Sequence, residues 1–197
     1  MNPFLSISAQ DNLVLASGSQ RRRKILKELG FNFEIFVAGL KEDEISGDDP
    51  VRKATKLAEL KAVCAQRSCP GKRIIGADTV VICRNKEMGK PANRDEASKM
   101  LAFLSGKSHE VVTGVVVIAP ENKMITDYES TKVYFKDLSP REIKVYTDTS
   151  EPFDKAGGYA IQGLAAPFIS KIEGCYFNVV GLPVGLLFRM LEESDSL

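Results

Sequence analysis

Asp78 stands inside "RIIGADTVVIC" (73–83), between Ile74-Ile75 and Val80-Val81. A carboxylate in so apolar a run is expensive to bury without a partner. Two readings stand: a turn between two short strands, or a catalytic or metal-binding carboxylate at a strand end. Gly76 weakens the strand locally and allows another backbone or a ligand to approach closely. Lys61 breaks its pattern in the same way. On the helix that follows Val51, residues Ala54, Leu57, Ala58, Cys64 and Ala65 share one face, with Lys61 in its middle. Lys61 either snorkels to the helix edge or delivers a point charge into a cleft, where it suits phosphate. Lys90 lies in "GKP" (89–91), on a proline-stiffened turn. The acidic loop carries Glu42, Asp43 and Glu44. Most of that run reads as solvated charge, and one carboxylate can join Asp78 around a hard divalent ion that prefers oxygen ligands.

Four consecutive cations follow a Ser-Gly-Ser turn in "ASGSQRRRKIL" (16–26). At about 100° per residue, Ile25, Leu26 and Leu29 set the apolar stripe of this helix, and Arg22 falls near its centre. Arg21 lies at the stripe's edge, and Arg23 and Lys24 are expected to point largely to solvent. A basic surface helix start is one reading. The favoured one is an anion site, because free N–H groups and the positive end of the dipole meet the hydroxyls of Ser17 and Ser19 there.

In "DKAGGYAIQG" (154–163) three glycines permit tight turns, and the amide of Gln162 both donates and accepts hydrogen bonds. That equipment suits reading the edge of a base. Asp154 and Lys155 belong to the same cleft or pair with each other. A Walker loop, a dinucleotide-binding glycine fingerprint and a nucleophile elbow are all missing, and His109 is the one histidine.

The elements that must position these residues alternate between helix and strand. A strand is expected at Leu13–Ala16, a helix from Ser19 to a terminator at Gly30, and a strand-like alternation over 31–40. Asp48 or Asp49 caps a helix over Val51–Arg67. A strand covers 73–83, and "NRDE" (93–96) opens the next helix with a capping-box pattern. Strands follow in "HEVVTGVVVIAP" and "ESTKVYF", then a capping box at Ser139–Glu142 with proline at the first helical position. The strand "PFISKI" and a helix over Pro183–Glu192 end the chain. This order predicts a mixed α/β fold around one sheet, as one domain over 1–197 with residues 1–11 and 193–197 as frayed ends.

Bulk properties narrow the function classes. Apolar residues make up 44% and charged residues 27%, an ordinary globular composition. A net charge of +1 argues against a general polyanion binder, so nucleic acid is not an expected partner. No signal peptide or membrane-length apolar run is expected, and the four cysteines form no Cys-x-x-Cys pair. A reducing cytoplasm fits these features.

Taken together, "ASGSQRR", "LKA" with Lys61, "GADTVV", "GKP", "LSGKSHEVVTGV", "DKAGGYAIQG" and "NVVGLP" resemble, in order and from Leu13 to about Leu187, the Maf family of nucleotide pyrophosphatases. The resemblance implies an elongated α/β molecule. Its mixed central sheet would be flanked by helices, with two lobes around a cleft, similar to the inosine-triphosphate pyrophosphatases. It implies hydrolysis of nucleoside triphosphates to monophosphate and pyrophosphate with a divalent cation, Mg2+ or alternatively Mn2+, in a homodimer. Asp78 matches the family's water-activating aspartate. Glu42, Lys61 and Lys90 match its supporting positions, with Glu42 joining Asp78 on the metal. Ser17, Ser19, Arg21 and Arg22 match its phosphate-binding signature. Thr79 and "AGxYxIQG" resemble the branch acting on dTTP and UTP rather than that acting on 7-methyl-GTP. Arg22, Thr79 and Gln162 are therefore the implied specificity positions, with Lys155 beside the substrate. Gln20 departs from the family, which usually has proline there, and Gly158 stands where alanine is frequent. A regulatory protein linked to septum inhibition, without catalysis, is the alternative.

Overall fold

The computed structural model describes residues 2–4, 6, 10–40 and 49–195. Among these, strands β1 (Leu13–Ala16), β2 (Phe33–Ile35), β3 (Arg73–Cys83), β4 (Lys86–Met88), β5 (Ser108–Ile118), β6 (Met124–Phe135) and β7 (Ile169–Glu173) form a mixed sheet. Its order is β2-β1-β3-β5-β6-β7, with β4 paired to β3. β1 runs parallel to both β2 and β3, whereas β3–β4 and β6–β7 are antiparallel. The helices are α1 (Gln20–Glu28), α2 (Pro50–Ser68), α3 (Arg94–Leu104), α4 (Pro140–Thr147), α5 (Tyr176–Val180) and α6 (Val184–Asp195). No helix among the described residues is long and apolar enough to cross a membrane.

The chain divides into two compact units. One comprises Met1–Asp78, Thr113–Glu129 and Gly181–Leu197, and the other Thr79–Val112 and Ser130–Val180. In the first, Val14, Ala16, Ile74, Val116 and Ile118 pack against the small face Ala58, Ala62 and Ala65 of α2. In the second, α3 contributes Leu101 and Leu104 to a core that is rich in aromatic residues, with Phe135, Tyr146, Tyr159 and Phe168.

Local chemistry explains most boundaries. Ser19 caps α1 by accepting from the Arg22 N–H, and Asp49 rather than Asp48 caps α2 through the Val51 N–H. Asp48 lies outside the described residues. At α4 both legs of the capping box form between Ser139 and Glu142. At α3 the pattern is modified: Asn93 accepts from the Glu96 N–H, but the Glu96 carboxylate reaches back to the Ala92 N–H. The strand-like alternation over 31–40 forms a strand over Phe33–Ile35 alone. α6 runs on to Asp195, whose carboxylate accepts from Arg73.

Candidate active site

Both the turn and the strand end expected at Asp78 are overturned, because β3 is continuous from Arg73 to Cys83 and Asp78 sits in its middle. Glycine at position 76 has a different reason. A Cβ there would stand 2.5 Å from the Ala58 carbonyl oxygen and 2.9 Å from the Ala62 Cβ. Gly114 plays the same part on β5, where a Cβ would come within 2.7 Å of the Thr55 backbone. Two strands without side chains at these points let the α2 backbone lie directly on the sheet.

This close approach decides where Lys61 goes. With Ala58 and Ala62 pressed onto β3, Lys61 faces the sheet, and its Nζ lies 2.6 Å from Asp78 Oδ1. Both side chains are nearly buried, at 11% and 12% exposure. Lys61 therefore does not snorkel to the helix edge. An ammonium and a carboxylate held together out of water are stable as a pair, and each compensates the other's loss of hydration. The arrangement places a negative oxygen and a positive nitrogen side by side.

The parallel register of β1 with β3 ends with Ala16 opposite Gly76. Ser17 and Asp78 follow these residues by one and two positions, so the Ser-Gly-Ser turn leaves β1 at the level where Asp78 sits. Ser17 is buried, and its hydroxyl accepts from the Ser19 N–H at 3.2 Å and from Arg22 Nη1 at 3.0 Å. The Arg22 Nε donates to the Gly181 carbonyl at 2.7 Å. Arg22 is thus buried on the stripe that helical phase assigned to it, with its guanidinium fixed from two sides. Arg21 is half-buried and Lys24 exposed. Arg23 corrects the expectation of a solvated side chain: it is half-buried, and its Nε is buried without a hydrogen-bond partner.

In the second unit, Thr79 is half-buried and Lys90 exposed. The turn carrying Lys90 is tied to the glycine-rich stretch, because the Gly157 N–H donates to the Gly89 carbonyl at 2.9 Å. Gly157 and Gly158 both adopt left-handed backbone, φ 71° and 70°, which favours glycine over the family's frequent alanine at 158. Gln162 is exposed. Lys155 does pair with Asp154, and its Nζ also donates to the Glu151 carbonyl at 2.6 Å. Its ammonium is engaged by its own turn.

Glu42, with Asp43 and Glu44, lies outside the described residues. Among those described, no group of three His, Cys, Asp or Glu side chains gathers as a metal cage. Asp78 contributes a hard carboxylate, with one oxygen against Lys61. A hard carboxylate of this kind suits a Mg2+-like ion, which prefers oxygen ligands.

Three hydrogen-bonding partners of these residues and of the glycine-rich stretch were not singled out from the sequence. Gly181 was legible only as part of "NVVGLP", and its φ of 118° explains why that position is glycine. Glu151 and Tyr146 carry no motif, although Tyr146 Oη donates to the Glu151 carboxylate at 3.1 Å.

The dTTP/UTP pyrophosphatase of Desulforamulus reducens is 47% identical over 176 residues, covering 89% of this chain and 92% of that protein. The dTTP/UTP pyrophosphatase of Bacillus pumilus is 47% identical over 182 residues, covering 92% and 96%. The solved structure of the Staphylococcus aureus Ham1 protein aligns with a TM-score of 0.49 at 13% identity, covering 92% of this chain and 98% of that one. The family described as Maf-like protein matches residues 12–194, a span that takes in the Ser-Gly-Ser turn, the Lys61–Asp78 pair and the glycine-rich stretch alike, and the chain belongs to that family.

Proposed function

We propose that the protein hydrolyses nucleoside triphosphates, dTTP and UTP in particular, to nucleoside monophosphate and pyrophosphate. The observation that carries this reading is the buried Lys61–Asp78 pair at 2.6 Å. Relatives that are 47% identical over nine-tenths of the chain are named for this activity. Those names favour catalysis over a purely regulatory role.

In this mechanism Asp78 orients and deprotonates the attacking water. The Lys61 ammonium stands beside that carboxylate, where it balances charge on the phosphate as the water adds. Arg21 and Arg22, with the hydroxyls of Ser17 and Ser19, hold the phosphates, and the two anchors on Arg22 keep its guanidinium from swinging away on binding. Lys90 stabilises the departing pyrophosphate, and Thr79 and Gln162 contact the nucleoside, with Lys155 beside them and its ammonium held by its own turn, roles that rest on the family resemblance. Asp78 and Glu42 would hold a divalent cation (Mg2+, with Mn2+ as the alternative), which would neutralise phosphate charge, a role that rests on the family resemblance. The protein is further proposed to act in the cytoplasm as a homodimer, with neither nucleic acid nor membrane as partner.

Pyrophosphate release from dTTP, UTP and the other nucleoside triphosphates in the presence of Mg2+ tests this. Asp78→Asn should lose at least about a hundredfold in kcat/KM. Arg22→Ala should be severely impaired, while Lys24→Ala, whose side chain is 71% exposed, should match the wild type. Full activity in Asp78→Asn overturns the role of Asp78, and no turnover of any nucleotide overturns the enzyme reading.

A further inference from the structure

The segment Ala160–Leu164 carries Gln162, and from Gln162 to Leu164 it is exposed; Leu164, its largest apolar side chain, is 60% exposed. Apolar packing therefore does little to fix this part of the backbone, and hydrogen bonds must do it. Glu151, outside the segment, supplies one, and Tyr146 holds Glu151 in place. The Glu151 carboxylate accepts from the Leu164 N–H through Oε2 at 3.0 Å and from Tyr146 Oη through Oε1 at 3.1 Å. A carboxylate that itself accepts from a buried phenol thus holds the Leu164 end of the segment.

The rest of the geometry is rigid on the holding side and permissive on the held side. Tyr146 is 3% exposed and stacks edge-on against Phe168, with centroids 5.3 Å apart. The Glu151 backbone is fixed at both its polar groups, its N–H by Thr149 Oγ1 at 3.3 Å and its carbonyl by Lys155 Nζ at 2.6 Å. The carboxylate lies directly against Gly163. A Cβ there would stand 2.4 Å and 2.6 Å from its two oxygens. Glycine at 163 is therefore required for the carboxylate to reach the Leu164 N–H. The "IQG" of the motif couples a base-reading amide to the seat of the group that aims it.

We propose that Glu151, itself held by Tyr146, is a positioning residue that fixes the backbone at Gly163–Leu164 and so presents Gln162 to the base of the substrate. This rests on the reading of Gln162 as a base contact. It adds a residue that touches no substrate and sets selectivity from behind the loop. Because a hydrogen bond to a carboxylate is charge-assisted, its loss weighs more than that of a neutral one.

The test compares wild type with Glu151→Ala, Glu151→Gln, Gly163→Ala and Gln162→Ala, using dTTP, UTP and dATP. Glu151→Ala and Gly163→Ala should each raise KM for dTTP roughly tenfold or more with kcat little changed, and narrow the preference for dTTP over dATP. Combining the two should add little to either, because both vacate the same carboxylate position. Glu151→Gln should recover most of the loss, its carbonyl accepting from the Leu164 N–H and its amide donating to Tyr146 Oη. Hydrogen exchange gives a readout independent of turnover: the Leu164 amide should exchange faster in Glu151→Ala and Gly163→Ala and near the wild-type rate in Glu151→Gln. An active wild type with unchanged KM, selectivity and exchange in Glu151→Ala and Gly163→Ala overturns this proposal alone. Equal losses on all three nucleotides, carried in kcat, overturn it too. Unaltered selectivity in Gln162→Ala removes Gln162 as a base contact and the proposal with it.

Discussion

At the level of single residues, the Lys61–Asp78 pair invites a question about why it is kept. Replacing a buried ion pair by apolar residues of similar size is often neutral or stabilising, whereas removing one partner strands a charge. Lys61→Ala should therefore destabilise the protein by roughly 3 kcal/mol in urea denaturation. The double variant Lys61→Met with Asp78→Leu should be about as stable as the wild type, or more so, and inactive. A double variant as unstable as the single one would mean that the pair serves the fold. These two residues and Arg22 were legible in sequence because each interrupts an apolar period whose geometry is known. Glu151 was not legible. A lone carboxylate after a turn resembles surface charge, and only folding brings Gly163 against it.

Among the elements, α2 and β3 depend on each other through Gly76. The glycine was readable as a site of close approach, but what approaches, the Ala58 carbonyl, belongs to a helix whose docking no periodicity specifies. Gly76→Ala should push α2 outward, cost about 1–3 kcal/mol as an overpacked core does, and lower activity beyond its effect on stability by drawing Lys61 from Asp78. A lowered melting temperature with full turnover at a temperature where the variant is folded would contradict that coupling. β4 escaped the sequence reading for a related reason. Arg84 and Asn85, joining it to β3, both adopt positive φ, 52° and 60°, as a tight hairpin of the primed type requires. The usual Asn-Gly signal for such a turn is missing, and three residues of β4 are too few to alternate visibly.

Over the whole molecule, acid stability should report on His109. Burial holds its imidazole neutral, with a pKa lowered from 6.5 to about 4. Nε2 lies 2.6 Å from Tyr159 Oη, and Nδ1 is buried without a partner. The unfolded chain binds a proton at this residue below about pH 6.5 that the folded chain refuses until about pH 4. The contribution to stability is thus fully present above 6.5 and declines as pH falls through that window, by roughly 3 kcal/mol at its lower end. Urea midpoints measured between pH 7 and pH 4.5 should fall accordingly, and in His109→Asn that part of the slope should vanish whatever the variant's absolute stability. A slope identical to the wild type would show that burial does not shift this imidazole between the folded and unfolded states.

The path of the chain through its two compact units has a consequence for inheritance. Polypeptide crosses from one unit to the other after Asp78, Val112, Glu129 and Val180, and the first of these crossings separates Asp78 from Thr79. No single cut in the gene releases either unit whole. Recombination that exchanges contiguous segments, the ordinary way in which modular proteins acquire new partners, would break both cores at once. The lineage can vary by substitution and by loop insertion, but its two halves must be transmitted together.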